Sequence, residues 1–268
     1  MPASSARNPQ PDLERWRCAL ARSAKATRLF QHVEVVAQAA STQDMARAMA
    51  EKHGCGCAAV TLQQTAGRGR SGRKWVDTPD ASLAASIALT PIEPARAWVQ
   101  SISLAIAAAR AVENSAALQE GTVAIKWPND LMLRDRKLGG ILIEQNATAA
   151  ICGIGINVGD TAHNPALPAS AISLFDAGCT VDRCDLACAL LAAIDDVCRC
   201  SDDVIDDTFQ RRNWLRGRTV TLQHDNRTSR GRVVEIELRT AIRIACADDQ
   251  IISIPIAHAH VQSVESDV

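Results

Sequence analysis

Gly67-Arg68-Gly69-Arg70-Ser71-Gly72-Arg73-Lys74-Trp75 is the stretch that constrains this chain most. It places four cations within seven residues, separates them with three glycines and ends on a tryptophan. Glycine lets a backbone bend tightly and approach a ligand closely. Arginine offers planar sets of donors that match carboxylate and phosphate oxygens, and tryptophan offers a flat apolar face. The stretch therefore predicts a loop that closes around an anionic, nucleotide-like ligand.

The same stretch imitates two phosphate-binding motifs without completing either. Gly67, Gly69 and Gly72 fit G-x-G-x-x-G, but that motif needs a helix to open directly afterwards, and the turn around Pro79 follows instead. Gly67 and Gly72 also have the spacing of a P-loop. That motif then requires Lys and Ser or Thr, whereas Arg73-Lys74 stands here and the hydroxyl that would hold magnesium is missing.

Two further interpretations of the stretch stay open on the motif alone. Arg-Gly repeats bind nucleic acid in disordered tails. This one stands between apolar segments of a globular chain, which disfavours a tail. The plainest alternative is a solvated basic loop without a ligand.

Composition describes an ordinary globular protein of 268 residues, 47% hydrophobic and 22% charged. A net charge of −1 gives no general attraction to DNA or membranes, so any polyanion site must be local. The ten cysteines include no C-x-x-C pair, and no nearby histidine completes a zinc set. Without a secretory signal or an apolar run of 18 residues, we expect a cytoplasmic protein with reduced thiols.

Periodicity divides the chain into an α/β body and a β-rich end. Helices are predicted near 13–20, 41–52, 96–112, 183–200 and 203–215. Strands are predicted at 32–37, 57–62, 83–89, 122–127, 141–144 and 149–157, with a turn at Asn129-Asp130. Five short strands follow at 218–223, 228–237, 241–246, 250–254 and 259–264, which is typical of a small SH3-like barrel. The predicted units are 1–30, an extension disordered over 1–11, then 31–215 and 216–268.

Four motifs in order resemble one family. They are Gln64-Thr65-Ala66-Gly67-Arg68-Gly69-Arg70, Lys126-Trp127-Pro128-Asn129-Asp130, Lys137-Leu138-Gly139-Gly140-Ile141-Leu142-Ile143-Glu144 and Gly153-Ile154-Gly155-Ile156-Asn157-Val158. The chain is similar to biotin protein ligases, the biotin–[acetyl-CoA-carboxylase] ligases of bacteria. The resemblance covers about residues 32–160. It implies an α/β (α+β) catalytic domain of the biotin/lipoate ligase type, followed by an SH3-like C-terminal domain.

The resemblance implies a ligase reaction in two steps. Biotin and ATP give biotinyl-AMP and pyrophosphate, and a lysine of the biotin carboxyl carrier protein of acetyl-CoA carboxylase then accepts the biotin. Magnesium accompanies ATP, and direct ligation of a metal by the protein is not expected.

The resemblance also assigns site residues, and their chemistry suits these substrates. A buried ureido group needs polar partners, and the biotin carboxylate and the α-phosphate need cations to hold them together. The biotin-binding residues are then Ser41, Thr42, Gln64, Gly67, Arg68, Arg70 and Lys137. The ATP and adenylate residues are Arg68, Arg70, Arg73, Trp75, Lys126, Asn129 and Asn157. The catalytic residues are Arg70, Lys137 and Asp130, of which Asp130 would receive or stabilise the proton of the acceptor lysine.

Several of these residues have a structural interpretation as well. Ser41 fits a helix N-cap, Trp127 fits a core position at a strand end, and Asn157 fits an ordinary strand position. The chain also departs from the family, because Gln43 stands where Asn is common and Glu235-Ile236-Glu237 replaces a frequent Gly-Ile-Asp. No contact to the nucleotide is therefore assigned to the C-terminal unit.

Three other functions remain as alternatives. A lipoate or octanoate ligase shares the related fold, but its ligand has less need of Gln64 because it lacks the ureido ring. A nucleic-acid-binding module would use the arginine-rich loop, and a binding protein would hold biotin without catalysis. About thirty residues precede the first predicted strand, too few for the winged helix of the family's repressors, so we expect no sequence-specific DNA binding.

Overall fold

The computed structural model describes residues 13–161, 164, 166–247 and 250–265. The predicted disorder of residues 1–11 lies outside that part of the chain. The α-helices are α1 (Leu13–Lys25), α2 (Thr42–His53), α3 (Ala97–Ser115), α4 (Arg183–Val197) and α5 (Asp202–Arg212). Strands β1 (His32–Ala39), β2 (Cys57–Gln64), β3 (Ser82–Leu89), β4 (Ala124–Lys126), β5 (Asp130–Leu133), β6 (Arg136–Gln145) and β7 (Ala150–Asn157) form one sheet.

The order of this sheet is β1-β2-β3-β7-β6-β5-β4. β1 and β2 pair in parallel and are connected by α2. The other neighbouring pairs of this sheet, from β2-β3 at one side to β5-β4 at the other, are all antiparallel. One face of the sheet joins α1, α3, α4 and α5 in the large apolar core, to which alternate residues such as Ile87 and Ile154 belong. The other face is covered in part by α2, which packs Ala46 and Met49 on Ala88 and Ile151. Part of that second face is therefore left open.

Local sequence explains where α2 begins and ends. Ser41 is extended, with φ −154° and ψ 137°, and its hydroxyl accepts from the Gln43 N–H at 3.3 Å. Gly54 ends the helix at φ +82°, in the left-handed region that favours glycine. Both signals confirm the predicted start and stop. They also place Ser41, Thr42 and Gln43 at the edge of the uncovered part of the sheet.

The region around residue 130 differs from the prediction. Asn129 lies in the turn as expected, but Asp130 begins β5, a strand the sequence did not indicate. β5 and β6 are connected through Arg134 and Asp135, whose φ values are +50° and +58°. Such a two-residue turn is usually marked by Asn-Gly or Asp-Gly, and neither pair occurs here. β6 is accordingly longer than the predicted 141–144 and includes Lys137.

The fifth helix is shorter than the predicted 203–215 and ends at Arg212. Asn213 is extended, with φ −66° and ψ 101°, and the Trp214 N–H donates to the Ile125 carbonyl at 3.0 Å. The backbone after Arg212 thus pairs with β4 and cannot continue as a helix.

A second sheet follows, made of antiparallel strands in the order β11-β10-β9-β8-β12. Its members are β8 (Thr219–His224), β9 (Arg227–Ile236), β10 (Ala241–Ala245), β11 (Ile251–Pro255) and β12 (His260–Val264). These are the five short strands predicted from the sequence, and the predicted fold class is confirmed. The exact boundaries of the three units stay predictions. Among the described residues, no helix has the length and apolarity needed to cross a membrane.

A buried ion pair joins α3 to α5 and generates a stability prediction. Arg212 donates to both carboxylate oxygens of Glu113 at 2.7 and 2.8 Å, and the exposed fractions of these side chains are 2% and 3%. Glu113→Gln leaves a buried guanidinium with only the exposed carboxylate of Glu120, 3.9 Å away, so we expect it to lower the free energy of unfolding by about 3 kcal/mol in urea titrations. Glu265→Gln breaks the exposed pair with Arg230 and is the control, expected to leave the unfolding midpoint unchanged. Equal effects of the two variants would contradict the prediction.

Candidate functional site

The uncovered part of the large sheet forms the floor of a cavity of about 390 Å³. Strand register places small residues side by side on this face. Ala84 pairs with Gly155 and Gly155 with Gly140, while in the next row Ser86 pairs with Gly153. Because side chains alternate along a strand, these positions share the face that α2 covers only in part. Because the residues of the floor are small, a ligand or a large side chain can reach the strand backbone.

One side of the cavity is lined by neutral hydrogen-bonding groups. The Gln64 amide oxygen accepts from the Thr42 N–H at 2.9 Å and from the Thr42 hydroxyl at 3.2 Å. The Thr42 hydroxyl also lies 2.7 Å from that of Ser86. Ser41, whose hydroxyl caps α2, lines the same side. The group can offer both donors and acceptors to an uncharged polar ligand.

Gln43 belongs to this side too, although the sequence did not assign it. Its amide Nε2 donates to the Leu142 carbonyl at 3.3 Å, and its Oε1 is buried without a partner among the described residues. A Cβ at Gly153 would lie 3.2 Å from the Gln43 Cδ, so this amide lies tightly against the floor. A buried acceptor without a donor favours a ligand that brings an N–H group.

The glycine-arginine segment forms a short hairpin over the cavity. The Trp75 N–H donates to the Gly67 carbonyl at 3.0 Å, and the Gly69 N–H donates to the Arg73 carbonyl at 2.8 Å. A Cβ at Gly67 would come within 2.9 Å of the Trp75 carbonyl oxygen and 3.0 Å of the Gln64 Nε2, so only glycine fits there. The segment directly after the loop, residues 76–81, is not helical, which agrees with the expectation that the stretch is not a dinucleotide motif.

Asp77 connects the segment that precedes the loop to the segment that follows it. Its carboxylate accepts a hydrogen bond from the Gln64 N–H across thirteen residues. Burial raises the pKa of Asp77 above its usual range, which hydrogen bonds only partly offset. The bond fixes the backbone on which the Gln64 side chain is mounted.

The Trp75 indole lies directly on the sheet. A Cβ at Gly155 would be only 2.7 Å from two carbons of the ring, so glycine at 155 lets the tryptophan lie flat on the strand. The indole Nε1 is buried without a hydrogen-bond partner in the described part of the chain. Trp75 is thus an apolar wall of the cavity.

The opposite side of the cavity is cationic. Its cations are Arg68, Arg70, Arg73, Lys74, Lys126 and Lys137, against a single carboxylate, Asp130, among the described residues that line it. Arg70 donates to the Asn129 amide oxygen at 2.9 Å, and its guanidinium lies 5.8 Å from the centre of the Trp98 ring. Burial lowers the pKa of Arg70. The excess of positive charge suits an anionic ligand.

Lys137 and Asp130 form an ion pair over the floor. The Lys137 Nζ lies 2.7 Å from the Asp130 Oδ1, and both would be within 3.5 Å of a Cβ at Gly140. Because Gly140 has no side chain, the ion pair has room directly above the strand. Lys137 is partly neutralised here, and an anionic ligand would compete with Asp130 for it.

The C-terminal unit contributes to the site as well. Ala259, His260, Val261 and Gln262 around the start of β12 line the cavity, although no contact was assigned to this unit from the sequence. Lys126 lies 5.1 Å from the centre of the Trp214 ring at the junction of the two sheets. Burial lowers the pKa of Lys126, while Asp130 acts in the opposite direction.

The structure brings most predicted site residues together and leaves two apart. Those that line the cavity are Ser41, Thr42, Gln64, Arg68, Arg70, Arg73, Trp75, Lys126, Asn129, Asp130 and Lys137. Gly67 is the first residue of the loop, at a position where only glycine fits. Asn157 is buried and donates to the Ile172 carbonyl at 3.2 Å outside the cavity lining, so its contact with a nucleotide stays a prediction.

Residues missed from the sequence left only faint signals. Ser86 is one of two hydroxyls in the otherwise apolar strand Ser82–Leu89, and its partner Thr42 is far away in sequence. His260 and Gln262 come from a strand whose docking beside the loop no local pattern encodes. Trp127, by contrast, is 2% exposed, as its interpretation as a core residue predicted.

Comparison with known proteins places this arrangement in a family context. Residues 37–159 match the model of the biotin/lipoate A/B protein ligase family. A biotin–[acetyl-CoA-carboxylase] ligase of Mycobacterium tuberculosis is 33% identical over 171 residues, which are 62% of this chain and 64% of that protein. The bifunctional ligase/repressor BirA of Escherichia coli is 37% identical over 142 residues, 51% of this chain and 44% of that protein. The chain thus spans less than two thirds of the length of these curated relatives.

Solved structures share the fold. The biotin protein ligase from Aquifex aeolicus in complex with biotin and ATP has a TM-score of 0.73 and 24% identity over 87% of this chain and 99% of that one. The Leishmania major biotin protein ligase with biotinyl-5-AMP has a TM-score of 0.60 and 24% identity over 84% and 98%.

The contact between Trp75 and Gly155 yields a prediction about the floor. Gly155→Ala forces the indole off the strand, and we expect a loss of about 1–3 kcal/mol of unfolding free energy, measured in urea. In a Trp75→Ala background the same substitution has nothing to displace and should cost less than about 0.5 kcal/mol. An equal cost in both backgrounds would mean that the indole does not lie on Gly155.

Proposed function

Because residues 37–159 belong to the biotin/lipoate A/B protein ligase family, we propose that this chain is a biotin protein ligase. It activates biotin with ATP and transfers it to a lysine of a biotin carboxyl carrier protein of acetyl-CoA carboxylase. One observation carries the proposal: a single cavity has neutral hydrogen-bonding groups on one side and cations on the other, over a floor of glycine and other small residues. Biotinyl-AMP has the same division, with a neutral ureido ring at one end and a phosphate at the other.

The neutral side suits the ureido group. Its two N–H groups and one carbonyl need acceptors and a donor where they are buried. Thr42, Gln64 and Ser86 offer hydroxyl and amide groups, and the Gln43 Oε1 lacks a donor in the described structure. A lipoyl or octanoyl chain offers no N–H group to the buried Gln43 Oε1, so the cavity favours biotin.

The cationic side suits the first chemical step. A carboxylate oxygen of biotin attacks the α-phosphorus of ATP, the bond from that phosphorus to the β-phosphate oxygen breaks, and pyrophosphate leaves. Both reactants are anionic, so Arg70 and Lys137 would hold them together and neutralise the charge that develops at phosphorus. Arg73 and Lys126 extend the cationic wall toward the leaving pyrophosphate.

Magnesium enters with ATP in this proposal. Asp130 is the one carboxylate among the described residues of the cavity lining, so the protein offers too few oxygen ligands for a dedicated ion. Asn129 adds an amide oxygen that now accepts from Arg70. When bound, the ion supplies charge neutralisation at the phosphates, and the chain's part is to orient them.

Asp130 would serve the second step. The amine of the acceptor lysine attacks the biotinyl carbonyl carbon, the bond to the AMP oxygen breaks, and the amine loses a proton. An unperturbed lysine is mostly protonated at neutral pH, so a nearby carboxylate helps to remove that proton. Asp130 becomes available when the adenylate phosphate attracts Lys137 away from the pair at 2.7 Å.

The test of this function is ATP–pyrophosphate exchange with purified protein and magnesium, comparing biotin with lipoate. We expect exchange that depends on biotin. Exchange with lipoate alone would keep the reaction type and overturn the substrate, and exchange with neither would overturn the proposal.

Lys137→Met provides the internal control of that experiment. Loss of a cation that meets the developing charge should lower kcat/KM for the first step about 10²–10³-fold. Lys52→Met changes an exposed lysine in the last turn of α2 and should leave the rate unchanged. Similar losses in both variants would show that Lys137 has no special role.

A further inference from the structure

The Arg68 guanidinium is held by carboxylates of the chain itself. It donates to the two carboxylate oxygens of Asp44 at 2.9 and 2.8 Å and to those of Glu144 at 3.2 Å each. Asp44 lies in the first turn of α2, and Glu144 lies on β6. One side chain thus fastens the beginning of the loop to two elements that are distant in sequence.

The tip of the loop is held far less firmly. Arg70 makes one hydrogen bond, to Asn129, and the side chains of Arg73 and Lys74 are exposed. In the described ranges of the chain, no carboxylate lies within ion-pair distance of these three cations. The loop therefore has a fixed limb, which contains Arg68, and a tip free to move toward a ligand.

The charges of the network are mutually neutralised. Hydrogen bonds from Arg68 hold the pKa of Asp44 below its usual range, and the carboxylates raise the pKa of Arg68. Burial alone would raise the pKa of Glu144, but hydrogen bonds from Arg68 and Arg47 outweigh it and lower that pKa. An anionic ligand would have to compete with two carboxylates for Arg68, so Arg68 is poorly suited to bind one.

We propose that Asp44 and Glu144 are positioning residues that clasp Arg68 and so fix one limb of the 67–75 loop, leaving the tip with Arg70 to close over the ligand. This inference rests on the proposed biotin ligase function and assigns a different task to Arg68, a predicted ligand of biotin and ATP. Ordering a free loop costs conformational entropy, and a loop already fixed at one limb has fewer residues left to order. The clasp therefore improves binding of biotin without taking part in the chemistry.

Arg47 provides a matched control within the same network. It contacts the same carboxylates, Asp44 at 3.2 Å and Glu144 at 2.8 Å, but it belongs to α2 and does not reach the loop. Arg47→Ala removes one cation and leaves all four bonds of Arg68 in place. A difference between this variant and the carboxylate variants reports on the clasp and not on local charge.

The kinetic test measures biotin-dependent pyrophosphate release by wild type, Asp44→Asn/Glu144→Gln and Arg47→Ala. We expect the double variant to raise the KM for biotin about tenfold with kcat within about twofold of wild type, because binding is weakened and the chemistry is not. Arg47→Ala should match wild type. An unchanged KM in the double variant, or an equal rise in Arg47→Ala, would overturn the proposal.

A second measurement needs no activity and separates the clasp from the proposed function. Limited trypsin digestion of the ligand-free protein reports cleavage within 68–74, where four basic residues stand. We expect faster cleavage in the double variant than in wild type and Arg47→Ala, at an unchanged thermal midpoint. If no protein releases pyrophosphate and this difference persists, the function fails and the clasp stands. Equal cleavage in all three proteins would overturn the clasp.

Discussion

The absence of side chains at three neighbouring glycines on one face of two adjacent strands is the constraint on which the site depends. Gly140, Gly153 and Gly155 lie side by side there through the pairing of β6 with β7. Each would bring a Cβ within 3.3 Å of another group, and Gly155 would bring it within 2.7 Å of Trp75. A sheet normally buries such a face under helices, but α2 covers only part of it. The remaining part is a floor where a ligand, an indole and an ion pair all reach the backbone.

Electrostatics then divides the cavity. The cations around it would repel one another if none were compensated, and two of them are: Arg68 by Asp44 and Glu144, and Lys137 by Asp130. Arg68 is fixed at the base of the loop, whereas Arg70 remains near the cavity, hydrogen-bonded to the Asn129 amide. Positive charge is thus concentrated where a phosphate would lie and is neutralised where the loop must stay in place.

Local patterns predicted much of the fold, and the failures have identifiable causes. The cap at Ser41 and the stop at Gly54 located α2, because such signals act within one turn of a helix. β5 was missed because its hairpin turn uses Arg134 and Asp135 at positive φ instead of Asn-Gly. The end of α5 was misplaced because the pairing of Trp214 with Ile125 is a tertiary contact.

The site residues likewise divide into those that local sequence indicated and those that depend on tertiary contacts. The family resemblance indicated eleven residues that line the cavity, and seven of them belong to the four motifs, whose segments supply much of its loop and its floor. Gln43, Ser86 and His260 depend on how distant elements meet, and so does the engagement of Arg68 with Glu144, 76 residues away. Residue types alone indicated that Arg68 could bind an anion. They could not indicate that carboxylates of the same chain already occupy it.

The central claim is that one cavity holds both halves of biotinyl-AMP at once. Isothermal titration of the wild-type protein with biotinyl-AMP, with biotin and with AMP tests it most directly. The account predicts that biotinyl-AMP binds at least about 100-fold more tightly than biotin, because joined groups avoid the second loss of translational freedom. Biotinyl-AMP that binds no more tightly than biotin would contradict the account, because the neutral and cationic sides would then not act on one ligand.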